Sequence, residues 1–217
     1  MPTSSTNNYA LGSIAEHRRM EEIAAIYEVG QAMDAGDVNR VLDVIVEKAS
    51  AVMDAQACSL MLRDHSDGAF VIEASHGLTD DIVKGARIKP GEGIAGRVAE
   101  TGEPMLIGDV ATDPRFMRGV TPRAGISGSL CIPLKGEDGT VEGVLSIRRH
   151  EPKPPFDEDD LKLFCVFGTH ASLALANARL YSRLHRKVAE MSRISEVLRA
   201  INSTLDLDHV MNQIVES

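Results

Sequence analysis

A chain of 217 residues, 43% hydrophobic and 25% charged, has the make-up of a water-soluble globular protein, with room for one ordinary domain plus extra helices. Its 23 basic and 32 acidic residues leave a net charge of −9, which disfavours phosphate backbones and anionic lipid surfaces and sets aside nucleic acid and membrane contact as expected partners. No uninterrupted apolar run of about 18 residues occurs and the first twenty residues hold no apolar leader core, so a cytoplasmic location is expected.

Residues 1–13 are rich in Ser, Thr and Asn, and read as a disordered lead-in. Over 14–36, Met20, Ile23, Ile26, Tyr27 and Met33 recur at helical spacing, and Gly36-Asp37 ends this N-terminal signalling helix. A domain is expected over 37–170. It opens with a second helix whose apolar face is Leu42, Ile45, Val46, Ala49, Val52 and Met53. Period-two patterning then predicts strands at Ala57–Arg63, Ala69–Ser75, Met105–Ile107, Ser129–Leu134 and Thr140–Arg149, paired as an antiparallel sheet. Asp64–Gly68 and Lys135–Gly139 carry turn chemistry between consecutive strands.

The stretch Lys89–Phe116 reads KPGEGIAGRVAETGEPMLIGDVATDPRF. Gly91, Gly93 and Gly96 supply backbone freedom, Thr101-Gly102 closes a short helix, and Asp113–Phe116 opens a turn. Bare amides at such a helix start can face an anion or a ligand.

After the Pro-rich break at 151–155, Asp157 is placed as a helix N-cap, with Phe156 and Leu161 bracketing it as a hydrophobic staple. Only Gly168 interrupts the helical pattern until about Ile201. A helix of about 45 residues would extend roughly 65 to 70 Å, well beyond the width of such a domain. Leu173, Leu180, Lys187, Ile194 and Ile201 fall seven apart, with Asn177, Leu184, Met191 and Leu198 as the companion series. That is a coiled-coil seam over 171–202, with Asn177 able to fix register. The expected homodimer interface is Leu173, Asn177, Leu180, Leu184, Met191, Ile194, Leu198 and Ile201. Residues 26–33 also align with 194–201, and 38–47 with 207–216, so 203–217 reads as the truncated start of a second repeat.

Lys89–Phe116, followed by GISGSLCIPL, EGVLSIRR and FDEDDLKLF, resembles the GAF family of small-molecule sensor domains over roughly Met20 to Tyr181. The resemblance implies an α+β, GAF/PAS-like antiparallel sheet flanked by helices, with long N- and C-terminal helices in a dimeric bundle. It also implies a small ligand seated between the sheet and residues 91–127, with candidate lining Gly93, Ile94, Asp109, Val110, Phe116, Ile126, Ser127 and Ser129. Ligand state would pass along the helical stalk to a downstream output domain, such as a kinase, cyclase, phosphodiesterase or transcriptional activator. The alternative is a ligand-free dimerisation scaffold.

A further branch of the family reduces free methionine sulfoxide with cysteine nucleophiles, which needs an exposed thiolate and a resolving thiol within reach. Cys58, Cys131 and Cys165 are far apart, lie in apolar runs and form no CxxC pair. No enzyme, disulfide or structural zinc site is therefore expected. Cys165 precedes Val166 rather than a histidine, which disfavours a covalent bilin. Phe156-Asp157-Glu158 is the one look-alike of the cyclic-nucleotide constellation, and capping already explains it. His65, His76, His150 and His170 show no metal-ligand spacing. A single histidine would suffice for haem, and none is singled out, so the ligand stays unidentified.

Overall fold

The computed structural model describes residues 38–108 and 125–215, with side chains to Glu196 and at Arg199. The expected lead-in at 1–13 and helix at 14–36 lie outside the described residues.

The described chain opens with helix α1, Val38–Val52, which buries Val41, Leu42, Ile45, Val46 and Ala49 at three- and four-residue spacing. Strands follow at β1 (Ala57–Arg63) and β2 (Phe70–His76). A short helix α2 (Asp80–Gly85), strand β3 (Arg87–Ile88), helix α3 (Gly93–Thr101) and strand β4 (Met105–Ile107) come next. Strands β5 (Ile126–Lys135) and β6 (Val141–His150) complete the sheet, and helix α4 runs unbroken from Glu158 to Val215. The sheet is antiparallel with strand order β3-β2-β1-β6-β5-β4.

The α+β architecture expected from the sequence is present. Two strands, β1 and β4, have the expected limits, and β2, β5 and β6 are shifted or lengthened at their ends. Strand β3 and helix α2 were not anticipated, because two residues of strand carry no measurable alternation. Strand β3 pairs with β2 through Phe70–Ile88 and Val71–Arg87, and half-exposed Arg87 adds a clasp. Its guanidinium meets Asp64 at 2.8 Å and Asp67 at 2.6 Å, clasping the β1–β2 turn. Within that turn the Ser66 hydroxyl and N–H both donate to Asp64 Oδ1, at 2.7 and 2.9 Å. These Ser66 bonds first, and Arg87 after them, hold the Asp64 carboxyl well below the usual carboxylate range.

Strand alternation gives the sheet two distinct faces. One bears Cys58, Leu60, Leu62, Leu130, Ile132, Leu134, Leu145 and Ile147, all buried beneath α1 and the first turns of α4. Helix α4 supplies Phe164, Phe167, Ala171, Ala174, Leu175 and Ala178 to this core. Gly168 marks its closest approach, since a Cβ there would stand 2.3 Å from Ile132 Cδ1. Asp157 caps the helix as expected, its Oδ1 accepting from the N–H of Asp159 and Asp160 at 2.9 and 2.8 Å. Arg149 locks the same corner. Its Nη1 donates to Asp160 Oδ2 at 3.0 Å, its Nη2 donates to the Met53 carbonyl at 2.8 Å, and its guanidinium lies 4.0 Å from the centre of the Phe156 ring.

The chain divides into two compact units, residues 1–178 and 179–217. In the first, the α4 residues named above face the sheet and Leu173 stays 60% exposed. In the second, Leu180, Leu184, Val188, Met191 and Ile194 are all exposed. Helix α4 is longer than expected and passes Ile201 without a break. Within 158–196 an 18-residue window reaches a mean hydropathy of 1.2, long and apolar enough to cross a membrane by composition alone. Of that window 39% is buried, and the core side chains that α4 turns to the sheet supply part of its apolarity.

Candidate functional site

The second face of the sheet is covered differently. Helix α3 packs over β5 and β6, and Val98 and Ala99 join Met61, Phe70, Cys131, Val141 and Val144 in a buried apolar cluster. The glycine-rich turn before α3 seats it. Gly91 and Gly93 adopt φ of +86° and +61°, and the Gly91 N–H donates to the Gly96 carbonyl at 2.8 Å. A Cβ on Gly96 would lie 2.3 Å from the Lys89 carbonyl oxygen, so only glycine lets the turn close on the helix. Glu92 directs its carboxylate back to the Lys89 N–H at 2.9 Å. Gly102, at φ +67°, ends the helix with its N–H on the Val98 carbonyl, as the Thr101-Gly102 pair predicts.

Beyond the apolar cluster this face becomes polar. Register pairs Ser59 with Ser146, Ser146 with Cys131, and Arg148 with both Ser129 and Ala57. Alternation therefore puts Ser59, Ser129, Ser146 and Arg148 on the same side as Met61, Cys131 and Val144. Ser59 and Ser129 are buried, and Ser146 and Arg148 are half-buried. The Ser129 hydroxyl donates to the Ile147 carbonyl at 3.0 Å, and the Ser146 hydroxyl donates to Cys131 Sγ at 3.1 Å. Burial pushes the Cys131 thiol up to about 12, opposed by the Ser146 hydroxyl and the Arg148 charge. Burial also holds the Arg148 guanidinium below its ordinary range. Its carbonyl accepts from the Gln56 N–H at 3.0 Å, but among the described residues the Arg148 guanidinium has no hydrogen-bond or ion-pair partner. Its neighbour Arg149 points to the opposite face and is paired there.

The expected lining residues are brought together only in part. Ile94 packs against the α3-side cluster and Ser129 lies on the same face. Gly93 begins α3 with open space where a side chain would be. Ile126 is half-buried opposite His150, and Ser127 occupies a bulge between Ile126 and Gly128. The Ser127 Oγ is buried without a hydrogen-bond partner. Asp109, Val110 and Phe116 lie outside the described residues. Sequence reasoning missed Ser59, Ser146 and Arg148, although the alternation of EGVLSIRR against Leu145 and Ile147 already sets Ser146 and Arg148 on the other face.

A separate open groove of about 500 Å³ lies on the α4 side, lined by Gly102, Pro104, Lys135, Cys165, Thr169 and Leu173 among others. It is not the space beneath α3. The cysteines are dispersed: Cys58 is in the α1/α4-side core, Cys131 is on the α3 side, and Cys165 is half-buried on α4. Burial pushes all three thiols above their ordinary value, and no two of them lie in the same place. Among the described residues no group of His, Cys, Asp or Glu side chains is arranged to hold a metal ion.

A family model of the GAF domain matches residues 37–175. The dual 3′,5′-cyclic-AMP and -GMP phosphodiesterase 11 of Drosophila melanogaster is 32% identical over 117 residues, 53% of this chain and 8% of that protein. The Nif-specific regulatory protein of Herbaspirillum seropedicae is 24% identical over 200 residues, 89% of this chain and 35% of that protein. The chain thus spans much less than two thirds of these relatives. Among solved structures, the GAF domain of a phosphoenolpyruvate-protein phosphotransferase from Coxiella burnetii superposes with a TM-score of 0.62 at 28% identity, covering 74% of this chain and 96% of that one. The free methionine-R-sulfoxide reductase of Neisseria meningitidis, in complex with its substrate, shares the fold at a TM-score of 0.61 and 18% identity, covering 75% of this chain and 90% of that one.

Proposed function

The chain belongs to the GAF domain family, a family of soluble regulatory domains, and we propose that it senses a small molecule and relays ligand state through a dimeric helical stalk to an output domain. The supporting observation is the asymmetry of the sheet. One face is sealed by α1 and α4 with large aliphatic and aromatic side chains, while the face beneath α3 joins an apolar floor to buried hydroxyls and a guanidinium. Such a mixture suits a small organic ligand held by a few polar anchors, with Ile94, Ser127 and Ser129 among its contacts.

The relay in this reading is α4. Ile132 on β5 fills the space left by Gly168, so a shift of β5 is felt at once by the helix. Leu173, Leu180, Leu184, Met191 and Ile194 are 52 to 69% exposed and keep the seven-residue spacing of a seam, and a second copy of the helix covers them. Ligand can bias two packings of this pair only by its differential affinity for them. Residues 37–170 then form the sensor, 171–202 the linker and 203–217 the start of a second repeat. We place the protein in the cytoplasm and assign it no catalysis of its own, a reading supported by the dispersal of its three cysteines and the upward push of burial on their thiols. The chain's small share of its relatives' lengths fits an output domain of unspecified type in the full-length protein.

The test is direct: purify the protein, record its absorption spectrum, and identify any compound released on denaturation. A stoichiometric small molecule, or a thermal shift with one class among nucleotides, amino acids and oxoacids, supports the sensor. Absence of both supports the scaffold reading instead, which draws on the α4-side groove beside the exposed Leu173.

A further inference from the structure

We propose that the polar end of the α3-side face is an anion site in which Arg148 binds a carboxylate or phosphate on the sensed molecule, with the hydroxyls of Ser129 and Ser146 beside it. The proposal rests on the sensor reading above and specifies its ligand.

Three observations carry it. The first is placement: register puts Ser129 directly across from Arg148, and Ser146 two residues earlier on the same strand and face. The second is an unmet electrostatic demand. Arg148 is half-buried, burial disfavours its charged form, and no described residue pairs with it. A desolvated guanidinium without an anion is costly, and a bidentate carboxylate or phosphate is the partner its fork geometry fits best. The adjacent Arg149 shows what a purely structural arginine looks like in this protein, with Asp160, the Met53 carbonyl and the Phe156 ring all engaged. The third is the surrounding chemistry. The Ser146 hydroxyl is spent only on a thiol, a weak acceptor it can exchange for an oxyanion, and the Ser127 hydroxyl at the same end of β5 is buried with no partner. Val144, two residues from Ser146, begins the apolar floor with Met61 and Ile94. The ligand is therefore a small molecule with an anionic head and an apolar body. The chain's overall charge of −9 makes this cationic end a local exception.

Isothermal titration of the full chain with succinate, inorganic phosphate and uncharged succinamide separates the possibilities, using wild type, Arg148→Gln and Arg148→Lys. One of the two anions is expected to bind wild type, which tells carboxylate from phosphate, while succinamide does not bind. Arg148→Gln should weaken that anion by about 10- to 100-fold, with Arg148→Lys in between. Unchanged anion affinity in Arg148→Gln, equal binding of succinamide, or no binding of either anion overturns the proposal. Should Arg148→Gln fail to fold by circular dichroism, the succinate and succinamide comparison on wild type still decides. An uncharged compound released on denaturation sinks the anion site and leaves the sensor standing, whereas no compound and no thermal shift sinks both.

Discussion

Two consecutive arginines on β6 meet opposite fates because a strand turns successive side chains to opposite faces. The Arg149 and Asp160 side chains are 9% and 8% exposed, so removing one partner strands the other in a poorly solvated corner. Arg149→Met is expected to lower stability by about 3–5 kcal/mol, read as a fall in the urea midpoint. Cys131 yields a pH prediction. Its folded-state thiol is raised to about 12 against an ordinary value of 9.0, so the unfolded chain ionises first as the solution becomes alkaline. The stability that Cys131 contributes is complete below pH 9 and drains away between 9 and about 12. Cys131→Ala should flatten that part of the stability profile relative to wild type. At this scale the sequence was informative about side and silent about company. It showed that Ser146 and Arg148 oppose Leu145 and Ile147, yet which face is sealed by helices depends on contacts far along the chain.

The elements themselves were legible wherever the period ran long enough. Strand β1 shows the expected limits, and α1, α3 and the Asp157 cap follow from apolar spacing, the Thr101-Gly102 stop and acidic capping chemistry. The β3 pairing was not legible, since two residues show no alternation and the Arg87 clasp beside it reaches carboxylates 20 and 23 residues away. Two glycines set how closely elements approach, and they should respond differently to substitution. Gly96→Ala drives a methyl against a backbone carbonyl at 2.3 Å, which cannot yield without moving the turn. Gly168→Ala meets Ile132 Cδ1 at the same 2.3 Å, but that is the end of a flexible side chain. Overpacking of this kind costs about 1–3 kcal/mol, so Gly96→Ala is expected near the top of the range and Gly168→Ala near the bottom. Thermal denaturation of both variants checks the order. Adding Ile132→Val to Gly168→Ala should recover part of the loss, a coupling expected of side chains in contact.

For the whole molecule, the question is what shields the exposed leucines, methionine and isoleucine of α4. If a second copy does, Leu184→Glu with Met191→Glu places charge in the seam and should give monomers by light scattering, while the circular dichroism of the sheet persists. Dimers that survive both substitutions would count against the seam. The sequence disclosed the heptads, and the helix runs past the expected stop near Ile201 because no proline or glycine lies between Ile201 and Val215 to end it. Nor did it disclose the α4-side groove, which is formed by residues from three separate stretches of chain.

The uninterrupted run of α4 from Glu158 to Val215 has one last consequence, which concerns angular phase. Each residue added to a helix turns everything after it by about 100° about the axis, whereas seven together return it to within about 20° of where it began. A single residue inserted near Tyr181 would spin the downstream stripe away from any helix paired with it, and a seven-residue insertion would leave it nearly in step. If the helix pairs and relays as proposed, output would rise and fall with spacer length in a seven-beat rhythm, like a key cut to fit at intervals.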